Sequence, residues 1–163
     1  MSMRETETHD HQALIQKLLV SIHYLTLFRD EIILVEKTPS LLGKHFSIAI
    51  VQNELGEILS KIEALSKQKK LIRSIYWYDE SSFKVMNKAL AIVEEWIKGL
   101  DNLLEFCQSQ TVFQAILGDE RAHVFGILID VYTSLNIINT SLKEENSRPV
   151  SLSDLALGLK DED

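Results

Sequence analysis

Two prolines and six glycines in 163 residues are too few for a turn-rich all-β chain, a collagen-like repeat or a disordered linker. A single cysteine, Cys107, excludes an internal disulfide, and the N-terminus lacks the apolar run of a signal peptide. Together these predict a reducing, cytoplasmic setting. No long hydrophobic run stands out. The best stretch, Leu18 to Phe28, has 11 uncharged residues before Arg29, Asp30 and Glu31 interrupt it, against the roughly 20 that a membrane-spanning helix needs. A glycine-rich phosphate loop, an internal repeat and a low-complexity tract are also missing. What remains is globular: 45% hydrophobic and 25% charged residues, with 24 Leu and 17 Ile. At about 2 kcal/mol per buried side chain, that supply can offset chain entropy in one stand-alone domain.

Charge is unevenly placed within the net −7. Residues 1–78 hold 10 basic and 9 acidic groups, whereas residues 79–163 hold 7 and 15. The acidic second half is repelled by phosphate backbones at long range, so a basic protein surface is a better expected partner than nucleic acid.

Apolar periodicity writes the architecture. Residues 1–10 are polar and aperiodic and read as a flexible tail. Ile15, Leu18, Ile22, Leu25, Phe28, Ile32 and Val35 then recur at three- or four-residue steps, marking a first helix over about 11–36. Thr38-Pro39 is read as both its stop and the start of the next helix, through a tight loop. The second seam is Ile48, Val51, Leu55, Ile58, Ile62 and Leu65, running to about Lys70. The third is Phe83, Met86, Leu90, Val93, Ile97, Leu100, Leu104 and Cys107. Thr111 and Gln114 have capping-box spacing, and Gly118-Asp119 is expected to split off a short helix at 112–117. The last seam is Val124, Leu128, Val131, Leu135, Ile138 and Leu142, ended by Arg148-Pro149. The fold class is therefore all-α: an up-down antiparallel four-helix bundle over 11–146, with a fifth helix if 112–117 stands alone. A leucine-rich acidic tail over 147–163, able to form a short helix, either folds back on the bundle or enters a partner's groove.

Few residues carry chemistry. Glu120 and His123, at i and i+3, have the spacing of half a carboxylate-bridged di-metal site, but a second Glu-x-x-His is missing. A surface carboxylate beside a partly buried histidine ranks ahead of a metal. His9-Asp10-His11, with His45 and His123, resembles the histidine set of hemerythrin-like bundles. Ile48, Ala49 and Ile50 stand where that family places an acidic residue, and paired histidines on later helices are missing, so an ion would stay mostly hydrated. Arg4 and His9 resemble the Arg-x4-His pair of a helical ribonuclease superfamily, but their place in the expected tail argues against a fixed catalytic geometry. Cys107 sits in a seam, where a thiol is inert packing.

Two features suit binding. Lys61, Lys67, Lys69, Lys70 and Arg73, against Glu63, run into Tyr76, Trp77 and Tyr78. The basic groups suit a helix C-terminus and the aromatics an end cap; next come a protein interface with the rings as anchors and, behind it, single-stranded nucleic acid or an anionic surface. Glu94, Glu95, Asp101 and Glu105 offer an acidic face. The reading is a non-enzymatic protein-interaction module, a regulator, adaptor or inhibitor of a basic protein, with no cofactor and with self-association left open. The alternatives are a bundle enzyme or sensor holding a metal or small ligand near Glu120 and His123, and a membrane-active bundle.

Overall fold

The apolar three-and-four spacing folds into six helices in the computed structural model, which describes residues 3–38, 42, 46–74 and 83–148. They are α1 (Met3–Lys37), α2 (Ile48–Ser66), α3 (Lys69–Ser74), α4 (Phe83–Gln108), α5 (Thr111–Gly118) and α6 (Val124–Arg148). No strand occurs among the described residues, and the fold is an all-α bundle. Helix α1 lies against α2 and α6, and α4 lies against the same two, so the four long helices close around one core. Lys61 of α2 reaches Phe106 of α4 while Leu65 reaches Gly99, so these two helices run in opposite senses. Glu94 with Lys143, and Asp101 with Tyr132, set α4 and α6 in opposite senses too.

The stripes that build this core are mostly those the spacing marks. Leu18, Ile22, Leu25, Phe28, Ile32 and Val35 of α1 are buried, and Leu14 is buried where Ile15 is only half-buried. In α2 the buried set is Val51, Leu55, Ile58, Ile62 and Leu65; Ile48, at the exposed first turn, lies outside the core. Helix α4 buries Val93, Ile97, Leu100, Leu104 and Cys107, and adds Trp96 and Leu103. Leu90 is only half-buried, and the side chains of Phe83 and Met86 lie outside the described residues. Trp96 is fully buried because its indole N–H has a partner: Nε1 donates to Ser21 Oγ at 2.9 Å, and that hydroxyl donates to Leu18 O at 2.6 Å. On α6, Leu128, Leu135 and Leu142 face inward with Asn139, whose Oδ1 is buried without a hydrogen bond.

Several boundaries differ from the sequence reading. Helix α1 begins at Met3, so helical backbone extends into the segment read as a tail. Residues 3–10 contain neither Gly nor Pro, so an established helix can propagate outward without an apolar stripe. Helix α2 starts at Ile48 rather than at Pro39. Ser47 is its cap, its hydroxyl accepting from the Ile50 N–H at 3.2 Å, whereas Thr38 donates its hydroxyl backward to Leu34 O and so closes α1. Lys67 and Gln68 form a turn that ends α2, and α3 follows with Ile72 buried.

Helix α5 lies across one end of the bundle. Its Phe113 meets Phe28 of α1 and Phe125 of α6 at centroid distances of 5.8 and 4.8 Å, edge to face. The capping box read at Thr111 and Gln114 does not form. Gln110 occupies the cap, Thr111 is already helical, and Gln114 Nε2 donates to Gln108 O instead. The end of α5 is a Schellman turn: Glu120 N–H donates to Leu117 O and Arg121 N–H to Ile116 O. Asp119 is thus a C-cap, not the cap of the next helix, and Glu120 holds φ 61°.

Candidate functional site

Three places gather polar side chains. The first is the outer seam between α4 and α6. Asp101, Glu105 and Glu94 recur at steps of four and seven residues, which places them along the α4 edge that faces α6. The half-buried Tyr132 donates its hydroxyl to the Asp101 carboxylate. Burial first, then that hydrogen bond, then the charges of Asp101 and Glu105 push the phenol above its ordinary value and hold it as a donor. About two turns further along, Glu94 Oε1 accepts from Lys143 Nζ at 2.7 Å, with both groups about half exposed. Glu95 is exposed one position round the helix from Glu94 and belongs to the other edge of α4. The structure therefore gathers three of the four acidic residues marked in the sequence and leaves Glu95 apart. Tyr132 was not marked; its polar hydroxyl in an otherwise apolar stripe was the signal.

The second place is the corner where α5 and α6 begin. Glu54 of α2 accepts the Phe113 N–H at 2.9 Å, and Glu31 of α1 accepts the Val124 N–H at 3.1 Å. These carboxylates do for the two helix starts what local caps do elsewhere. Burial raises both above the ordinary carboxyl value. The backbone bonds oppose that rise, joined at Glu31 by the His123 charge, while Glu57 adds to the rise at Glu54. His123 Nδ1 donates to Glu31 Oε2 at 2.7 Å from an exposed position. Cys107 lies within reach of the Glu54 charge, and burial and then that charge push its thiol up to about 12, which keeps it protonated and unreactive.

This corner separates Glu120 from His123 as a pair. Both lie in the turn between α5 and α6, not on one helix face, and the left-handed backbone at Glu120 points the chain away from the i, i+3 alignment. His123 turns to Glu31 instead. No group of three His, Cys, Asp or Glu side chains converges on a common point among the described residues. Arg4, His9 and His11 lie on the helical backbone of α1 with side chains outside the described set, and His45 is outside it altogether. Tyr76, Trp77 and Tyr78, and the tail over 149–163, also lie outside the described residues.

The third place is a groove of about 240 Å³ between α2 and α4, lined by Lys61, Ala64, Leu65, Gln68, Gly99 and Asn102 with Leu103 at its floor. Gly99 makes it. The absent side chain lets the helices approach so closely that a Cβ there would meet Leu65 Cδ1 at 2.8 Å. Lys61 stretches along one rim with its ammonium 4.4 Å from the Phe106 ring centre.

No family model, curated protein or solved structure matches this chain. One further property belongs to α6. Over Val124–Glu144 it is long and apolar enough to cross a bilayer by length and composition, with Asp130 inside the stretch. Its inner residues Leu128, Leu135 and Leu142 are buried in the bundle core.

Proposed function

We propose that this protein is a non-enzymatic helical-bundle interaction module that holds a basic segment of a protein partner along the α4–α6 seam. The observation that carries the reading is the grouping of Asp101 and Glu105 around Tyr132, with Glu94 further along the same edge. A carboxylate pair flanking a half-buried tyrosine combines long-range attraction for cations with a rigid amphipathic anchor, the combination that protein interfaces favour. Lys143 already satisfies Glu94, and a partner's arginine would compete for the same oxygens in bidentate geometry. The carboxylates steer approach, and the ring sets the residence time.

The test begins with covalent capture of the partner from the native source and continues with surface-plasmon kinetics at several salt concentrations. Asp101→Asn with Glu105→Gln should slow association and flatten its salt dependence, because these charges supply the steering that salt screens over about 10 Å at 0.1 M. Tyr132→Ala should act mainly by speeding dissociation. Parent-like kinetics in both variants would move the interface off this seam. Trp77→Ala in the same series asks whether the aromatic connector is a second anchor, and a variant that melts earlier but binds as the parent does would assign that ring to packing.

A further inference from the structure

The groove between α2 and α4 is an apolar recess with one cation, Lys61, in its wall and a basic stretch of chain beside it. Its α2 wall carries Lys61, and the exposed side chains of Lys67, Lys70 and Arg73 continue the positive charge past it into α3, against Glu63. On the α4 wall Lys98 and Glu95 offset one another. The floor is apolar, from Leu65 and Leu103, and Gln68 and Asn102 present hydrogen-bonding groups at the edges. Such a recess suits a short segment that offers apolar side chains together with negative charge.

The chain supplies one. Residues 151–163 carry Leu152, Leu155, Leu157 and Leu159, and their charged groups are Lys160 against Asp154, Asp161, Glu162 and Asp163. We propose that this C-terminal segment of the same chain docks in the α2–α4 groove, Leu157 and Leu159 entering between Leu65 and Leu103 and its carboxylates meeting the lysines around the groove. The reach suffices. Lys143 pairs with Glu94, so the end of α6 at Arg148 and the groove at Gly99–Leu103 are separated by about 18 Å along the bundle axis at 1.5 Å per residue. One or two interhelical spacings of roughly 8–10 Å add the lateral distance. An extended chain from Arg148 to Leu159 covers at most about 36 Å. Tethering also keeps the effective concentration of the segment high, so few contacts are enough to hold it. The proposal stands apart from the α4–α6 seam, and either can fail alone.

The experiment places a nitroxide on Ser153→Cys in the full chain and reads amide signal loss in the uniformly ¹⁵N-labelled protein. Cys107 is fully buried with its thiol protonated, so it does not take the label. Signals of Lys61, Gln68 and Asn102 should be lost, and they should return in an Ala64→Glu variant, which puts a carboxylate on the groove's exposed rim without touching the core. Raising the salt should restore them in part. Unchanged groove signals, or losses that survive Ala64→Glu, would overturn the proposal. A sample mixing ¹⁵N chains with unlabelled nitroxide-bearing chains completes the test. Groove losses of the full size there would assign the segment to a second copy and overturn docking within one chain.

Discussion

Glu120 stands where helix ends in a Schellman turn usually place glycine, with φ 61°. A side chain there brings its Cβ against the following carbonyl, which costs roughly 1–2 kcal/mol for an L-residue. Among the described residues no hydrogen bond or ion pair holds the exposed Glu120 side chain, so nothing in the fold repays that strain. Glycine removes the clash but loses about 0.5–1 kcal/mol through the greater freedom of its unfolded chain. Glu120→Gly should therefore raise stability by about 0.5–1 kcal/mol, or roughly 1–4 °C in Tm for a domain of this size. Glu120→Ala keeps the Cβ and its strain, and should stay within about 0.5 kcal/mol of the parent. Urea unfolding followed by circular dichroism separates the two if the transition midpoints differ at a common slope. Equal midpoints for the glycine and alanine variants, or a lower midpoint for glycine, would refute the claim that the left-handed backbone is strained.

Ser21→Ala should cost about 1–3 kcal/mol, because it leaves the Trp96 indole N–H buried without an acceptor; adding Trp96→Phe should recover part of that loss, and additive losses in thermal melts would sever the pair. Leu128→Ala, at a fully buried site, should cost about 2–5 kcal/mol, and Leu90→Ala, half-buried, distinctly less; the reverse order in urea would put α4 the wrong way round. Burial holds the folded Glu54 pKa above 4.5, so its stabilising contribution is complete below the unfolded value and is lost as pH rises through the folded one. Glu54→Gln keeps an acceptor for the Phe113 N–H without the charge, and should gain on the parent as pH rises across that window; parallel curves of unfolding free energy from about pH 4 to pH 8 would refute it.

The long apolar stripes were legible because each is a local property: a residue at i faces the same way as those at i+3 and i+4, whatever the partner. What periodicity understated was their width. The α4 seam of Val93, Ile97, Leu100 and Leu104 is joined by Trp96 and Leu103, since a helix packed against α2, α3, α5 and α6 buries more than a two-position stripe. Trp96 also depends on Ser21, 75 residues away, and that pairing has no local signature. The start of α2 has no unique local signature, because Thr38-Pro39 and Ser47 both carry starting signals and only the tertiary path decides which hydroxyl finds an amide. Of the acidic face, composition gave Glu94, Asp101 and Glu105, but the grouping of Asp101 and Glu105 at Tyr132, and of Glu94 with Lys143, required the pairing of α4 with α6.

The same distinction explains why the α5 corner is built from distant carboxylates. An eight-residue helix is too short to hold itself in water, and α5 lacks a side-chain cap of its own. Glu54 supplies the acceptor from 59 residues away, and Glu31 does the same for α6 from 93. Neither amide has its acceptor until α1 and α2 have docked, so the corner can form only as a consequence of the bundle. Local capping boxes would have let α5 and α6 start on their own signals; here the start positions are dictated by where two glutamates project from helices already packed. The Phe28, Phe113 and Phe125 contact adds the apolar part of the same dependence, one ring from each of three helices. Partial burial of the two carboxylates is then unavoidable, because an acceptor that reaches across to a neighbouring helix start must sit between helices, and their raised pKa values follow from that position.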